Sequence, residues 1–386
     1  MCLMPFQALH ATCVAGGELR LDRNSAKCEM YSSLVAKTNL RKRTSEDPRF
    51  LGGKSVSIPK APPAMATPAL TIDTQHDDMI HDAQLDYYGK RLATCSSDRT
   101  IKVYDVTHNA QQSNEQVLTG HEGPVWQISW AHPKFGTLLA SCSYDGKVII
   151  FKEAQLGKWS QVHVHAFHQA SVNSIAWAPY EYGLSLACAS ADGKVSILTH
   201  TAAEGWTTSY FQDSTLGCNA VSWAPFHSSG RQGKRVVTAS CDNSVKVWFL
   251  ADGATEWVKE DLHQSTPHHG DWVRDVAWAP STGAPISIVA SASEDRTVAI
   301  WTQVNEERWT KEVLHTFDAP VWRVSWSITG NVLAVSSGDH KVTLWKESLD
   351  KKWMYVNVAC ALSLDVSFCS QISSVDEVGA LHQAKE

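Results

Sequence analysis

The stretch Leu139-Ala-Ser-Cys-Ser-Tyr-Asp145-Gly-Lys-Val-Ile-Ile-Phe151 decides the reading of this chain. A run of small residues enters a turn at an aspartate, and a β-branched run leaves it to end on an aromatic ring. The phrase recurs. Asp98, Asp145, Asp192, Asp242, Asp295 and Asp339 are separated by 47, 47, 50, 53 and 44 residues. Six positions after each stand Tyr104, Phe151, Leu198, Trp248, Trp301 and Trp345.

Two more markers keep step with the aspartates. Trp130, Trp177, Trp223, Trp278 and Trp326 close a strand of alternating apolar residues, and Leu85 takes that place in the first unit. Trp159, Trp206, Trp257, Trp309 and Trp353 open another strand 14 or 15 residues after the aspartate. All sixteen tryptophans lie between Trp126 and Trp353. Four strands in a unit of about 45 residues is the signature of a β-propeller blade. The expected fold is all-β, with six blades over residues 69–358.

Composition narrows the class. The chain of 386 residues is 43% hydrophobic and 19% charged, as in soluble globular proteins. A net charge of -6 and the lack of a basic, aromatic-interleaved stretch argue against direct nucleic-acid binding. No run of 18 apolar residues predicts a spanning helix. Residues 1–60 hold ten Lys/Arg against five Asp/Glu, a net +5 that leaves -11 for the rest. With Arg41-Lys42-Arg43 and Ala61-Pro62-Pro63, residues 1–68 read as a disordered N-terminal extension. Residues 359–386 read as a disordered tail.

Ten cysteines form no C-x-x-C, and Cys95, Cys142, Cys188 and Cys241 sit in small-residue stretches before an aspartate. They read as buried hydrophobes in a reducing compartment. His163-x-His165 and His268-His269 invite a metal reading, but no carboxylate or cysteine stands at ligand spacing. Nucleophile-elbow, P-loop and dinucleotide motifs are absent. No cofactor, metal or catalysis is expected.

Nine residues before each strand-closing position stand His76, His121, His168, Ser214, His269 and Phe317. This pattern resembles the WD-repeat proteins, where such a histidine bonds a Ser or Thr and the turn aspartate and a tryptophan complete the network. The resemblance implies one set of His269, Ser291, Asp295 and Trp301 in blade five. It implies His76, Thr94 and Asp98 with Tyr104 in blade one, and His121, Ser141 and Asp145 with Phe151 in blade two. Blades four and six lack the histidine and are expected to rely on packing.

One strand is left over. Leu70-Thr71-Ile72-Asp73-Thr74 alternates with period two, yet Trp353 to Val358 already supplies blade six with an outer strand. The leading strand then reads as the outer strand of a seventh blade whose other three strands are absent from this chain; the alternative is that it pairs with blade six and that Trp353–Val358 is a loop. Such an open ring invites strand pairing with another chain.

Several stretches go beyond a generic repeat: Gly120-His-Glu-Gly-Pro-Val-Trp-Gln127, Gly217-Cys-Asn-Ala-Val-Ser-Trp-Ala-Pro225, Asp271-Trp-Val-Arg-Asp-Val-Ala-Trp-Ala-Pro280 and the run from Val324 to Ser348. They resemble the thirteenth secretory-mutant protein family, the small propeller of the COPII outer coat. The resemblance implies an open six-bladed propeller completed in trans by three strands of an α-solenoid partner. That partner is the COPII outer-cage subunit in one setting and a scaffold nucleoporin of the nuclear pore Y-subcomplex in another. A third setting is the GATOR assembly of TOR-kinase signalling. Implied locations are the cytoplasm, the COPII coat at the cytosolic face of the endoplasmic reticulum, with peripheral membrane association only, and the nuclear pore complex. The extension and the end from Ala359 depart from the family pattern.

The competing reading is a WD-repeat adaptor that binds peptides. Its face would come from the position four before each strand-closing residue: His81, Trp126, Asn173, Asn219, Arg274 and Trp322. Trp126, Arg274 and Trp322 are the candidates for a channel face.

Overall fold

The computed structural model describes residues 13–14, 17–21, 27–32, 68–106, 113–226, 232–260, 262, 268–281, 283, 285–339, 341–348 and 350–360. Their strands form seven four-stranded sheets, paired antiparallel throughout. Six are the repeats, forming a six-bladed propeller. Their innermost strands are Ile80–Leu85, Val125–Trp130, Val172–Trp177, Cys218–Trp223, Val273–Trp278 and Val321–Trp326. From each, the chain runs outward strand by strand before stepping to the next blade.

Burial explains the composition of each strand. In blade two, Leu138–Ser143 is buried at every position, because a central strand meets neighbours on both faces. Its Ala, Ser and Cys side chains let adjacent sheets approach closely. The outermost strand, Lys158–His165, is mostly exposed and tolerates charge. The core therefore lies between sheets. Val237 and Val247 of blade four pack with Val273, Val276 and Trp301 of blade five. The turns are as repetitive as the strands: the residue after the aspartate is left-handed at Arg99, Gly146, Gly193, Asn243 and Arg296. At Gly193 a Cβ would stand 1.8 Å from the Ser214 carbonyl oxygen, so that turn requires glycine.

From blade one to blade six, each innermost strand packs against the next; those of blades six and one do not pack together in this way. The seventh sheet precedes blade one in the chain. Pro68–Asp73 pairs with Lys27–Ser32, which pairs with Gly17–Leu21, which pairs with Cys13–Val14. Three segments of the extension are strands. The leading strand, moreover, has its neighbour within this chain. The reason is local alternation: Leu19 and Leu21, then Cys28 and Met30, carry period two in stretches too short and too charged to stand out.

Blade six has its outer strand at Trp353–Cys360, paired with Lys341–Glu347. The tail reading, from residue 361 on, falls outside the described residues.

Candidate functional site

The turn aspartates anchor four histidines. His76 Nδ1 lies 2.7 Å from Asp98 Oδ2, and its Nε2 lies 2.9 Å from Thr94 Oγ1. His121 makes the same pair of contacts with Asp145 at 3.1 Å and Ser141 at 2.8 Å. His168 meets Asp192 at 3.0 Å but takes its hydroxyl from Ser196, on the third strand, at 2.8 Å. In blade five, His269 meets Asp295 at 3.0 Å and Ser291 at 2.8 Å, and Trp301 Nε1 donates to Ser291 Oγ at 2.9 Å.

An ionised carboxylate only accepts, which fixes the direction of this relay. Trp301 donates to Ser291, Ser291 to His269 Nε2, and His269 Nδ1 to Asp295. Burial alone would raise the Asp98 and Asp295 carboxyls, but bonds from histidine and threonine hold both well below the usual range. Asp145, in the same balance of burial against the His121 bond, is lowered to about 2. Phe151 has no N–H to offer, and Tyr104 Oη donates elsewhere, to the Thr74 carbonyl at 2.6 Å.

Blade four corrects the expectation that it relies on packing. Asp213, one position before Ser214, has no exposed side-chain surface. It accepts Thr238 Oγ1 at 2.5 Å, Trp248 Nε1 at 2.9 Å, Lys246 Nζ at 3.3 Å and the Ser240 hydroxyl. Lys246 also reaches Asp242 at 2.7 Å. A carboxylate and an ammonium do here what histidine does elsewhere. In blade six, Trp345 Nε1 donates to Thr343 Oγ1 at 2.8 Å, and Ser337 bonds Asp339.

Seams between blades carry a second set of bonds that the sequence marked only as tryptophans. The indole N–H of Trp130 reaches back to the Gln84 carbonyl at 3.1 Å, and Trp177 to Ser129 at 3.0 Å. Trp223 reaches Ala176 at 2.9 Å and Trp326 reaches Ala277 at 3.0 Å. Three residues earlier, side chains reach forward: Asp82 accepts from Ile128 N–H at 3.1 Å, Gln127 from Ile175 at 2.8 Å and Asp275 from Val324 at 3.0 Å. Complete burial raises the Asp275 carboxyl to about 6, against the opposing charge of Arg323.

The positions read as a peptide-binding face form a belt between blades. His81 packs edge-on to Trp126 at 4.4 Å, and Trp126 Nε1 donates to Ser171 Oγ at 2.8 Å. Asn173 donates to the Cys218 carbonyl at 3.1 Å, and Asn219 to the Val273 carbonyl at 2.9 Å. The Arg274 guanidinium lies 5.4 Å from the Trp322 ring and pairs with Glu294. All but Trp322 reach the following blade.

His163 and His165 stack rather than chelate. His163 lies 5.0 Å from the Trp206 ring, and burial pushes His165 down to about 4. Among the described residues, no group of three His, Cys, Asp or Glu is placed to hold a metal ion. Cys95, Cys142, Cys188, Cys218 and Cys241 are free and buried, with burial raising every one of these thiols, Cys188 to about 12.

The seam before blade one differs from the rest. Leu85 stands where the other blades carry tryptophan, so this blade has no indole N–H to reach backward. The leading strand arrives here. Thr74, just past its end, is fully buried, and Lys102 Nζ donates to the Gln75 carbonyl at 2.8 Å. In register, Leu70 stands opposite Met30, Thr71 opposite Glu29, Ile72 opposite Cys28 and Asp73 opposite Lys27.

The repeat family described as "WD domain, G-beta repeat" matches residues 68–105, 112–152, 159–197, 207–248, 260–302 and 311–346. The chain is 57% identical over 301 residues to "Protein SEC13 homolog" of Homo sapiens, covering 74% of this chain and 92% of that one. It is 53% identical over 296 residues to "Protein transport protein sec13" of Schizosaccharomyces pombe, covering 74% and 98%. Against "Protein transport protein SEC13" of Mycosarcoma maydis it is 45% identical over 343 residues, covering 74% and 93%.

Proposed function

Because the chain belongs to the Sec13 family of WD-repeat proteins, we propose that it is a non-catalytic scaffold of protein transport, the propeller subunit of a COPII outer cage. It works in the cytoplasm at the cytosolic face of the endoplasmic reticulum membrane, which it meets only through the coat. Its partner is an α-solenoid cage subunit that inserts three strands beside Pro68–Asp73. Scaffold nucleoporins of the Y-subcomplex, at the nuclear pore, and GATOR subunits use the same seam in the same way.

The observation that carries this reading is the seam between blades six and one. Every junction from blade one to blade six packs innermost strands closely together, and among the described residues this one does not pack in that way. An inserted blade would gain a ladder of backbone hydrogen bonds and bury two sheet faces, on the order of 2,000 Å² or more, the size of a permanent interface. Such an interface stiffens a rod and suits a cage edge. The belt of His81, Trp126, Asn173, Asn219 and Arg274 favours this over the peptide-binding adaptor, because those side chains are engaged with neighbouring blades.

The test is co-elution of the full chain with a recombinant α-solenoid cage subunit, with and without that subunit's three-stranded insertion. A stable complex is expected only with the insertion, weakened by Ile72→Asp, which places a charge in an apolar register row. A complex indifferent to the insertion would sink the reading.

A further inference from the structure

The six repeats share one order: three strands run outward, a fourth closes the blade, and the chain then starts the next innermost strand. Residues 13–73 run in that same order. Cys13–Val14, Gly17–Leu21 and Lys27–Ser32 precede Pro68–Asp73, which hands over to Ile80–Leu85 as Ser113–Leu118 hands over to Val125–Trp130. Topologically, residues 13–32 occupy the three places that an inserted partner would fill.

The register agrees with the sequence pattern. Leu19 stands opposite Met30, and Met30 opposite Leu70; Leu21 stands opposite Cys28, and Cys28 opposite Ile72. Two rows on one face are thus apolar across three strands. The row between them holds Arg20, Glu29 and Thr71, which sets opposite charges at paired register positions. A slip of one residue either way would set Leu19 or Leu21 against Glu29, so the pairing is specified rather than incidental. All three strands lie before residue 68, where the repeat match begins.

We infer that the strands Cys13–Val14, Gly17–Leu21 and Lys27–Ser32 are an intramolecular occupant of the seventh-blade position, the last of them pairing with Pro68–Asp73 in the free chain, and are displaced when partner strands enter. The inference rests on the proposed function for its second half: the cis sheet excludes the same edge the partner needs. Without a tryptophan at Leu85, blade one lacks the backward indole bond of blades two, three, four and six, so exchange at this seam breaks no such clasp. Displacement costs the cis pairings and gains the partner's, and the free chain is spared a bare strand edge.

Cys28 supplies the test, because it stands opposite Ile72. In the full chain carrying Ile72→Cys, oxidised glutathione should join Cys28 to the new thiol, read by peptide mass spectrometry; antiparallel partners lie within disulfide reach. Thr71→Cys, which stands opposite Glu29, is the register control. The locked Ile72→Cys chain should bind the recombinant cage subunit about tenfold more weakly than the same chain after reduction. No link to Cys28, or links to Cys2 and Cys28 in equal yield, overturns the cis sheet. A link with equal binding before and after reduction overturns displacement. A link with no binding in either state upholds the cis sheet and instead refutes the proposed function.

Discussion

Blades four and five solve one problem with different chemistry. Blade five runs a relay from Trp301 through Ser291 and His269 to Asp295, with the carboxylate at the turn. Blade four puts its carboxylate, Asp213, where the others have histidine, and gathers Thr238, Ser240, Trp248 and Lys246 around it. Both fasten the approach to the innermost strand onto the second and third strands. The difference teaches that the fold demands a satisfied polar slot and leaves its residues open. It also predicts unequal fragility. A relay that ends on a partly exposed carboxylate loses hydrogen bonds when cut, whereas a buried ion pair, once halved, leaves a charge behind.

Asp213→Ala should be the most damaging change, costing about 3–5 kcal/mol, since Lys246 loses a buried counter-charge and three donors lose their acceptor. Urea midpoints would show it, with exposed Glu204→Ala as the reference. Equal midpoints for the two variants would remove Asp213 from the slot. Asp295→Ala should cost about 2–4 kcal/mol, because His269 and the turn N–H groups lose an acceptor. An Asp295→Ala cost clearly above that of Asp213→Ala would reverse the comparison.

The two blades were also unequally legible. His269, Ser291, Asp295 and Trp301 keep offsets repeated along the chain, so periodicity alone could draw attention to them. Asp213 keeps no shared offset, and Lys246 sits between Val245 and Val247 as Lys102 sits between Ile101 and Val103, so neither signals burial. Single charges in β-branched runs look like an exposed strand face. Only three dimensions reveal that Lys246 is 6% exposed and faces a carboxylate. The indole clasps were half legible: the tryptophans were plain, but a bond to a carbonyl of the preceding blade leaves no mark at the acceptor. The leading sheet was least so, because its pairing spans residues 33–67 and repeats nowhere.

Acid probes the histidine-built blades, with a smaller and graded effect. Burial depresses His165 in the fold to about 4 from an ordinary 6.5, and His168 is lowered too, burial outweighing its bond to Asp192. The unfolded chain then binds more protons between these limits, so stability is full above about pH 6.5 and falls as pH drops toward 4. Asp98, Asp145 and Asp295 are depressed carboxyls, so what they contribute is present above about pH 4 and lost below it. Urea midpoints from pH 7.5 to 3 should decline in two stages. His165→Asn should flatten the first stage alone. Parallel profiles for variant and parent between pH 6.5 and 4 would remove His165 as a cause.

The finest test compares how blades four and five are clasped to the blades before them. Trp223 Nε1 donates to Ala176, whereas Trp278 Nε1 is buried without a hydrogen-bond partner among the described residues. In place of that clasp, the buried Arg235 of blade four stacks 5.2 Å from the Trp278 ring and pairs with Glu260. Replacing either tryptophan with phenylalanine removes similar volume, so the cavity cost is shared and cancels in the difference. What remains is one hydrogen bond and the orphaned Ala176 carbonyl on one side, against the removal of an unpaired donor on the other. Trp223→Phe should therefore be about 1 kcal/mol more destabilising than Trp278→Phe. A triple comparison with Arg235→Met guards the reading, since without the guanidinium Trp278→Phe no longer forfeits a cation contact and the gap between the two variants should widen. If Trp278→Phe proves the costlier change while Arg235 is present, the stacked cation rather than the indole bond is the stronger fastening at a propeller seam.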